Sequence, residues 1–459
     1  MRVRGRTRLL SAVAVAAGLV ISGMASTGYA TAVDPGATRT ATRAIDPSGT
    51  ERADSADPIT DRDGGRDAGG TMPGEPSGTE PNDTAPSGTE PEQVGLHETV
   101  NTVLGYAGER THKFRFPGAR YVKLHFSRLA VPPGGRMTVA DPSGNEIHSY
   151  RADPTRVKLP GDAPITYDEA GGFWAMSVSG DTAVVTLESA PEAAGLMTRY
   201  GATIDKVARG LTGDEAPVAV PGRRGDAPPA GPGSEESVCG RDDTEDAVCY
   251  KSDYPAEYAH SRPVARLLID GRSLCTAWRI GPNNRLLTNH HCFRSTGSAR
   301  NTEVWFNYQC VACGDRRVTT PTKVVGGSVL ATERELDYTL FTVSGFDKIR
   351  DFGHLTLDSR RADRGEEVYI PQHPGGDPKQ ISLHSDVDAR GACRIDEPVY
   401  PGYTEGSDAS YYCDTAPGSS GSPVLSRRTH KVVALHHFGG CPNSGVRADL
   451  LYRAIGDQL

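Results

Sequence analysis

No cysteine precedes Cys239, although the chain has 459 residues and nine cysteines. All nine lie between Cys239 and Cys441, so the two halves are stabilised differently and a domain boundary falls between them. Basic charge is also short. Fifty Lys and Arg against 58 Asp and Glu leave a net charge of -8, which gives no electrostatic reason to bind nucleic acid or an anionic membrane. Apolar runs long enough to span a bilayer are missing. The one extended run, Leu9 to about Met24, follows four arginines and precedes Ala30-Thr31-Ala32; it falls short of the ~20 residues of a span. Residues 1–32 therefore read as a secretory signal. A second Cys-x-x-Cys and any His-Glu-x-x-His are absent, so Cys310-Val-Ala-Cys313 does not make a zinc site, and neither metal nor cofactor is expected. In an exported chain these cysteines read as disulfides, with at least one of nine left over.

What is present divides into segments. Residues 33–94 are rich in Gly, Pro, Ser, Thr, Asp and Glu, and Pro-Ser-Gly-Thr-Glu recurs at Pro47, Pro76 and Pro86. Such a stretch buries too little apolar surface to offset the entropy of ordering. Over 95–190 short alternating runs, Tyr121–Phe126, Arg136–Val139, Phe173–Val178 and Thr182–Leu187, are separated by turns and predict a small antiparallel β-sandwich. Residues 191–237 form a second Pro/Gly-rich stretch, a processing linker suited to proteolytic nicking. From 238 to 459 short strands and turns predict an all-β double barrel, closed by a C-terminal helix over Arg447–Asp457 with Leu450, Leu451, Ala454 and Ile455 on one face.

Three motifs carry chemistry. Asp414-Thr-Ala-Pro-Gly418-Ser-Ser420-Gly421-Ser-Pro423 presents a serine on a glycine-flanked turn. A serine hydroxyl needs such exposure, an adjacent base, and N–H groups aimed at the developing oxyanion, here those of Gly418 and Ser420. Arg285-Leu-Leu-Thr-Asn-His-His-Cys292 ends a short apolar strand in two histidines, and spacing alone does not choose between His290 and His291. Cys275 is the natural disulfide partner of Cys292, fixing the histidine backbone. Glu335-Leu-Asp337 enters an alternating strand, and Asp337 suits the carboxylate that orients the imidazole. Their order, His, Asp, Ser, is the chymotrypsin order.

With Ser237-Val-Cys-Gly-Arg-Asp-Asp-Thr-Glu-Asp-Ala-Val-Cys249, Ser273-Leu-Cys-Thr-Ala-Trp278, Ile370-Pro-Gln-His-Pro-Gly-Gly-Asp-Pro-Lys-Gln-Ile-Ser382 and Val432-Val-Ala-Leu-His-His-Phe-Gly-Gly-Cys441, these motifs make the second half resemble the lysyl and glutamyl endopeptidase branch of the chymotrypsin family. The first module resembles the pro-region domain of secreted bacterial trypsin-like proteases. The resemblance implies a chymotrypsin-like double β-barrel preceded by a β-sandwich pro-domain, and a secreted serine endopeptidase made as a zymogen, with His291, Asp337 and Ser420 as its triad. It implies disulfides Cys275–Cys292, Cys239–Cys441, Cys393–Cys413, and Cys249 with either Cys310 or Cys313. Protein or peptide substrates and the chain's own pro-region in cis are the expected partners of a monomer.

The primary pocket is expected between Asp414-Thr415 and His437-Phe-Gly439-Gly440. If Asp414 faces inward the P1 residue is Arg or Lys; if His437 and Thr415 do, as in the glutamyl enzymes, it is Glu. The acid of lysyl enzymes falls where this chain has Pro442, so lysine preference does not carry over. Ser419, not aspartate, precedes the nucleophile, so a new N-terminal ammonium has no carboxylate there to pair with. The competing reading is a secreted binding protein that works through its sandwich, with the protease fold silent.

Overall fold

A computed structural model of the chain describes residues 91–168, 170–188, 197–212, 215 and 236–459. The expected signal, the segment 33–90 and the linker positions Arg223, Arg224 and Glu235 lie outside the described residues. All that is described falls within one compact unit, Glu80–Leu459.

The first module is a sandwich. Thr111–Arg115, Thr182–Glu188, Arg136–Ala140 and Ile147–Tyr150 form one sheet. Gly95–Gly105, Gly201–Gly210, Tyr121–Ala130, Phe173–Ala175 and Ile165–Tyr167 form the other, with Val178–Ser179 beside Tyr121–Ala130. Alternation drives the packing: Ala183, Val185 and Leu187 turn inward to meet Val122, Leu124, Phe126, Met137 and Val139 in one apolar cluster. The sandwich does not end at 190. Gly201–Gly210 pairs on both edges and supplies Ile204 and Val207 to the core. A register shift between Ile204 and Lys206 breaks the two-residue period, which is why the alternation rule passes over this strand. The run Phe173–Val178 is likewise two strands, because Met176 and Ser177 leave the sheet between them.

The second module holds a closed six-stranded barrel, Ser273–Arg279, Val264–Ile269, Thr302–Phe306, Thr322–Glu333, Tyr338–Ser344 and Leu286–Thr288, closed by pairing of the last strand with the first. An eight-stranded open sheet forms the half-barrel beside it, running from Thr244–Asp246 to Ile395–Tyr400 through Val368–Gln372, Pro423–Ser426 and Val432–Phe438. Glu92–Gln93, expected to be disordered, adds a seventh strand against Leu274 and Ser273. The terminal helix runs Ala448–Ile455. It buries Ala448, Leu451 and Ile455, whereas Ala454 is exposed; Asp449 is buried because Arg447 and Arg453 clamp its carboxylate.

Four disulfides join Cys239–Cys441, Cys249–Cys313, Cys275–Cys292 and Cys393–Cys413. Cys310, the other candidate for Cys249, is not in a disulfide. Its backbone is bridged to Val318, while Cys313 brings its Cα within 4.6 Å of that of Cys249. Burial, then hydrogen bonding to Asp246, pushes the Cys310 thiol up to about 12.

A buried polar seam joins the sandwich to the barrel. Glu303, on a barrel strand and without exposure, accepts from Lys123 Nζ at 2.5 Å, from Ser177 Oγ at 2.7 Å and from the Ser177 N–H at 3.0 Å. Burial would raise this carboxyl, but Lys123 and Lys323 outweigh it and hold it down at about 2. Lys323 pairs with Glu146. Tyr121 Oη donates to Gly271 O at 2.8 Å, and the Arg266 guanidinium lies 4.4 Å from the Trp305 ring centroid.

Candidate active site

The two strands that hold the histidine and the acid are neighbours in the barrel. Thr288 lies opposite Thr339 and Leu286 opposite Phe341 in antiparallel register, so the chain beyond Thr288 and the chain before Tyr338 leave the sheet at the same end. That puts Asp337 beside His291. The Asp337 backbone sits in the left-handed region at φ 38°, which aspartate tolerates better than most residues. Its Oδ1 accepts the His291 N–H at 2.9 Å and its Oδ2 accepts from His291 Nδ1 at 2.8 Å. Asn289 Nδ2 donates to the Asp337 carbonyl at 2.9 Å. Burial would raise the Asp337 carboxyl, but the charge and hydrogen bond of His291, joined by His437, outweigh it and hold the group well below the usual carboxylate range. His290 turns the other way, to Thr332 Oγ1 at 2.9 Å, so the geometry separates two histidines that spacing leaves equivalent.

Ser420 sits on a turn that ties the closed barrel to the half-barrel. Thr276 N donates to Ser420 O at 2.8 Å and Gly421 N to His436 O at 2.9 Å. Gly418 and Gly421 adopt φ 100° and 88°, and a Cβ on Gly421 would lie 2.1 Å from Thr276 O, so only glycine fits there. Cys275, next to Thr276, is bonded to Cys292, next to His291. Cys275, His291 and Cys292 present clustered ligand atoms, but both sulfurs are spent in that disulfide.

One oxygen of Glu236 accepts both from the Ser420 N–H, at 3.0 Å, and from Ser420 Oγ. Burial lifts the Glu236 carboxyl above its usual range, against the hydrogen bond from Ser420 and the pull of His291.

The residues expected to line the primary pocket are differently employed. Asp414 is fully buried and accepts from the N–H groups of Cys239 and Asp243, each at 2.8 Å; burial pushes its carboxyl up to about 7 despite those bonds. His437 spends both ring nitrogens on carboxylates, Asp337 at 3.0 Å and Asp408 at 2.7 Å, which leaves it none for a ligand. Thr415 N and the Gly440 N–H both bind Ser237, through its carbonyl at 3.1 Å and its Oγ at 3.0 Å. Gly439 lies between His437-Phe438 and Gly440, buried. Asn443 also holds Ser237, its Oδ1 accepting from the Ser237 N–H at 3.1 Å and its Nδ2 donating to the Ser237 carbonyl at 2.8 Å. Motif reading missed Asp408, Asn443 and Ser237, whose roles arise from strand neighbours far away in sequence.

Residues 275–435 match the family model of a trypsin-like peptidase domain. The chain carries a trypsin-like serine peptidase domain. Among relatives, secreted RxLR effector protein 73 of Plasmopara viticola is 37% identical over 234 residues, covering 49% of this chain and 56% of that protein. Uncharacterized protein y4fB of Sinorhizobium fredii is 33% identical over 199 residues, covering 39% of this chain and 28% of that one. The chain thus spans just over half the length of the first relative and under a third of the second. Among solved structures, a Glu endopeptidase in complex with MPD is similar at 19% identity and TM-score 0.35, over 48% of this chain and 98% of that one. The active form of the Rv3671c protease from M. tuberculosis is similar at 17% identity and TM-score 0.31, over 45% and 85%.

Proposed function

We propose that the chain is the precursor of an exported serine endopeptidase. Ser420 attacks the peptide carbonyl, His291 Nε2 takes its proton and returns it to the leaving amine, and Asp337 holds the imidazole and balances its charge. The N–H groups of Gly418 and Ser420 receive the oxyanion. The observation that carries this reading is the Asp337 carboxylate bound to both the N–H and the Nδ1 of His291, which orients Nε2 as the base. The four disulfides favour an oxidising, extracellular location.

On this reading the uncut chain is a zymogen. Glu236 covers the nucleophile, Ser237 lies against Thr415 and Gly440, and a cut after Arg223, Arg224, Glu235 or Glu236 would precede Cys239 and leave it attached to Cys441. The P1 residue is Glu: both Asp414 oxygens are committed to main-chain amides and could pair a P1 cation only if those gave way, whereas the buried Thr415 hydroxyl has no partner among the described residues and is available to a substrate carboxylate. Peptide substrates, the pro-region in cis and a monomeric enzyme complete the proposal.

The test is diisopropyl fluorophosphate labelling of the secreted protein, with mass mapping of the adduct, followed by cleavage of a P1 library. An adduct on Ser420 and cuts after Glu are expected. Absence of any adduct in protein whose N-terminus has been trimmed beyond residue 236 rejects the enzyme; cuts after Arg or Lys reject the P1 assignment alone.

A further inference from the structure

Behind Asp337 stands a second imidazole. His437 reaches Asp337 Oδ2 through Nδ1 at 3.0 Å and Asp408 Oδ2 through Nε2 at 2.7 Å, and neither His437 nor Asp408 is exposed. Donating to two carboxylates requires hydrogen on both ring nitrogens, so His437 is an imidazolium. Burial opposes that charge, but Asp408 and Asp337 outweigh it and carry the group up to about 9. Asp408 is held in turn by Ser444 Oγ at 2.8 Å and Ser407 Oγ at 2.9 Å. Beside His437 also lie His436, which burial and the His437 charge push down to about 3, and the rings of Tyr403 and Phe438. Around His291 stand Asp337, Glu236, His290 and His436.

A cation set against Asp337 has a cost. Alone, it would cancel the negative charge that stabilises the imidazolium formed on His291 during the reaction. Asp408 restores it, so Asp337, His437 and Asp408 together carry one net negative charge, as a single carboxylate would.

We propose that Asp408, acting through His437, is a positioning residue for the chemistry at Ser420: His437 fixes the Asp337 oxygen that His291 uses, and Asp408 supplies the compensating charge. This rests on the proposed triad.

The test uses the full-length chain carrying Glu236→Ala, which takes the covering carboxylate off Ser420. Inactivation by diisopropyl fluorophosphate is followed against pH in that parent and in Asp408→Asn, His437→Gln and Asp408→Glu added to it, with circular dichroism to establish folding. Removing the Asp408 charge makes protonation of the base harder, so Asp408→Asn moves the acid limb about one pH unit lower and, because a weaker base takes the Ser420 proton less well, lowers the plateau rate above that limb. Removing the His437 cation does the opposite, so His437→Gln moves the limb to higher pH. Asp408→Glu keeps the limb near the parent's. Opposite shifts are not produced by a merely structural role. If Asp408→Asn does not fold, the upward shift in His437→Gln still decides. Limbs that stay put, or move the same way, in a parent that labels overturn the positioning role alone; a parent that does not label, either at full length or after residues 1–236 are removed from it, overturns the triad with it.

Discussion

Glu236 accepts hydrogen bonds from both the main-chain N–H and the hydroxyl of Ser420 through a single carboxylate oxygen. In the proposed mechanism an anion on that N–H stands where the developing oxyanion would, and the hydroxyl's own hydrogen bond is spent on Glu236.

Glu236→Ala should therefore speed fluorophosphate labelling of the uncut chain by at least about tenfold, which corresponds to about 1.4 kcal/mol. Glu236→Gln keeps an acceptor and should fall between. Rates measured on protein shown by mass to be uncut, and equal across all three side chains, would show that the contact does not restrain Ser420.

Ser420→Ala should abolish peptide hydrolysis with the fold retained, since it deletes only a hydroxyl. Asp337→Asn should lower turnover by about 10⁴ while leaving KM near its original value, because an amide supports the wrong tautomer of His291 and carries no charge. Normal turnover in Asp337→Asn would point to another acid; Asp351, the next candidate, is exposed and would then have to be tested.

The Lys123–Glu303 pair predicts a strong asymmetry between single and double changes. Lys123→Met strands the Glu303 carboxylate in the seam and should cost about 3–5 kcal/mol in urea unfolding of the full chain. Adding Glu303→Gln, which keeps the shape and removes the charge, should recover most of it. A Lys123→Met protein as stable as wild type would mean that water reaches Glu303.

Lys379 is buried, and burial, then Arg262, lowers its ammonium from 10.5 to about 7. Between those values the unfolded chain binds a proton that the folded one does not, so stability from this group rises with pH across about 7 to 10.5 and is level, at its lowest, below 7. Lys379→Met should be the more stable protein at pH 6, with the advantage shrinking by up to about 1.4 kcal/mol per pH unit above 7. Paired denaturation curves at pH 6, 8 and 10 check this; a constant difference would refute it.

The order His, Asp, Ser, the glycine-flanked turn at Ser420, the cysteine beside His291 and the alternation of Tyr121–Phe126 or Thr182–Leu187 are local patterns, and the amino-acid sequence by itself was enough to determine an all-β chain with a trypsin-like peptidase domain. Hydrophobic periodicity and turn chemistry act over a few residues and survive in the linear text. Gly201–Gly210 escaped because a bulge breaks its period, and the choice of Cys313 over Cys310 depended on which sulfur faces Cys249. The employment of Asp414, His437 and Asp408 was decided only in three dimensions. A buried carboxylate or imidazole takes its state from whichever donors and charges the packed strands bring within hydrogen-bond reach, and at Asp337 those come from His291 on one side and, a hundred residues further along the chain, from His437 on the other.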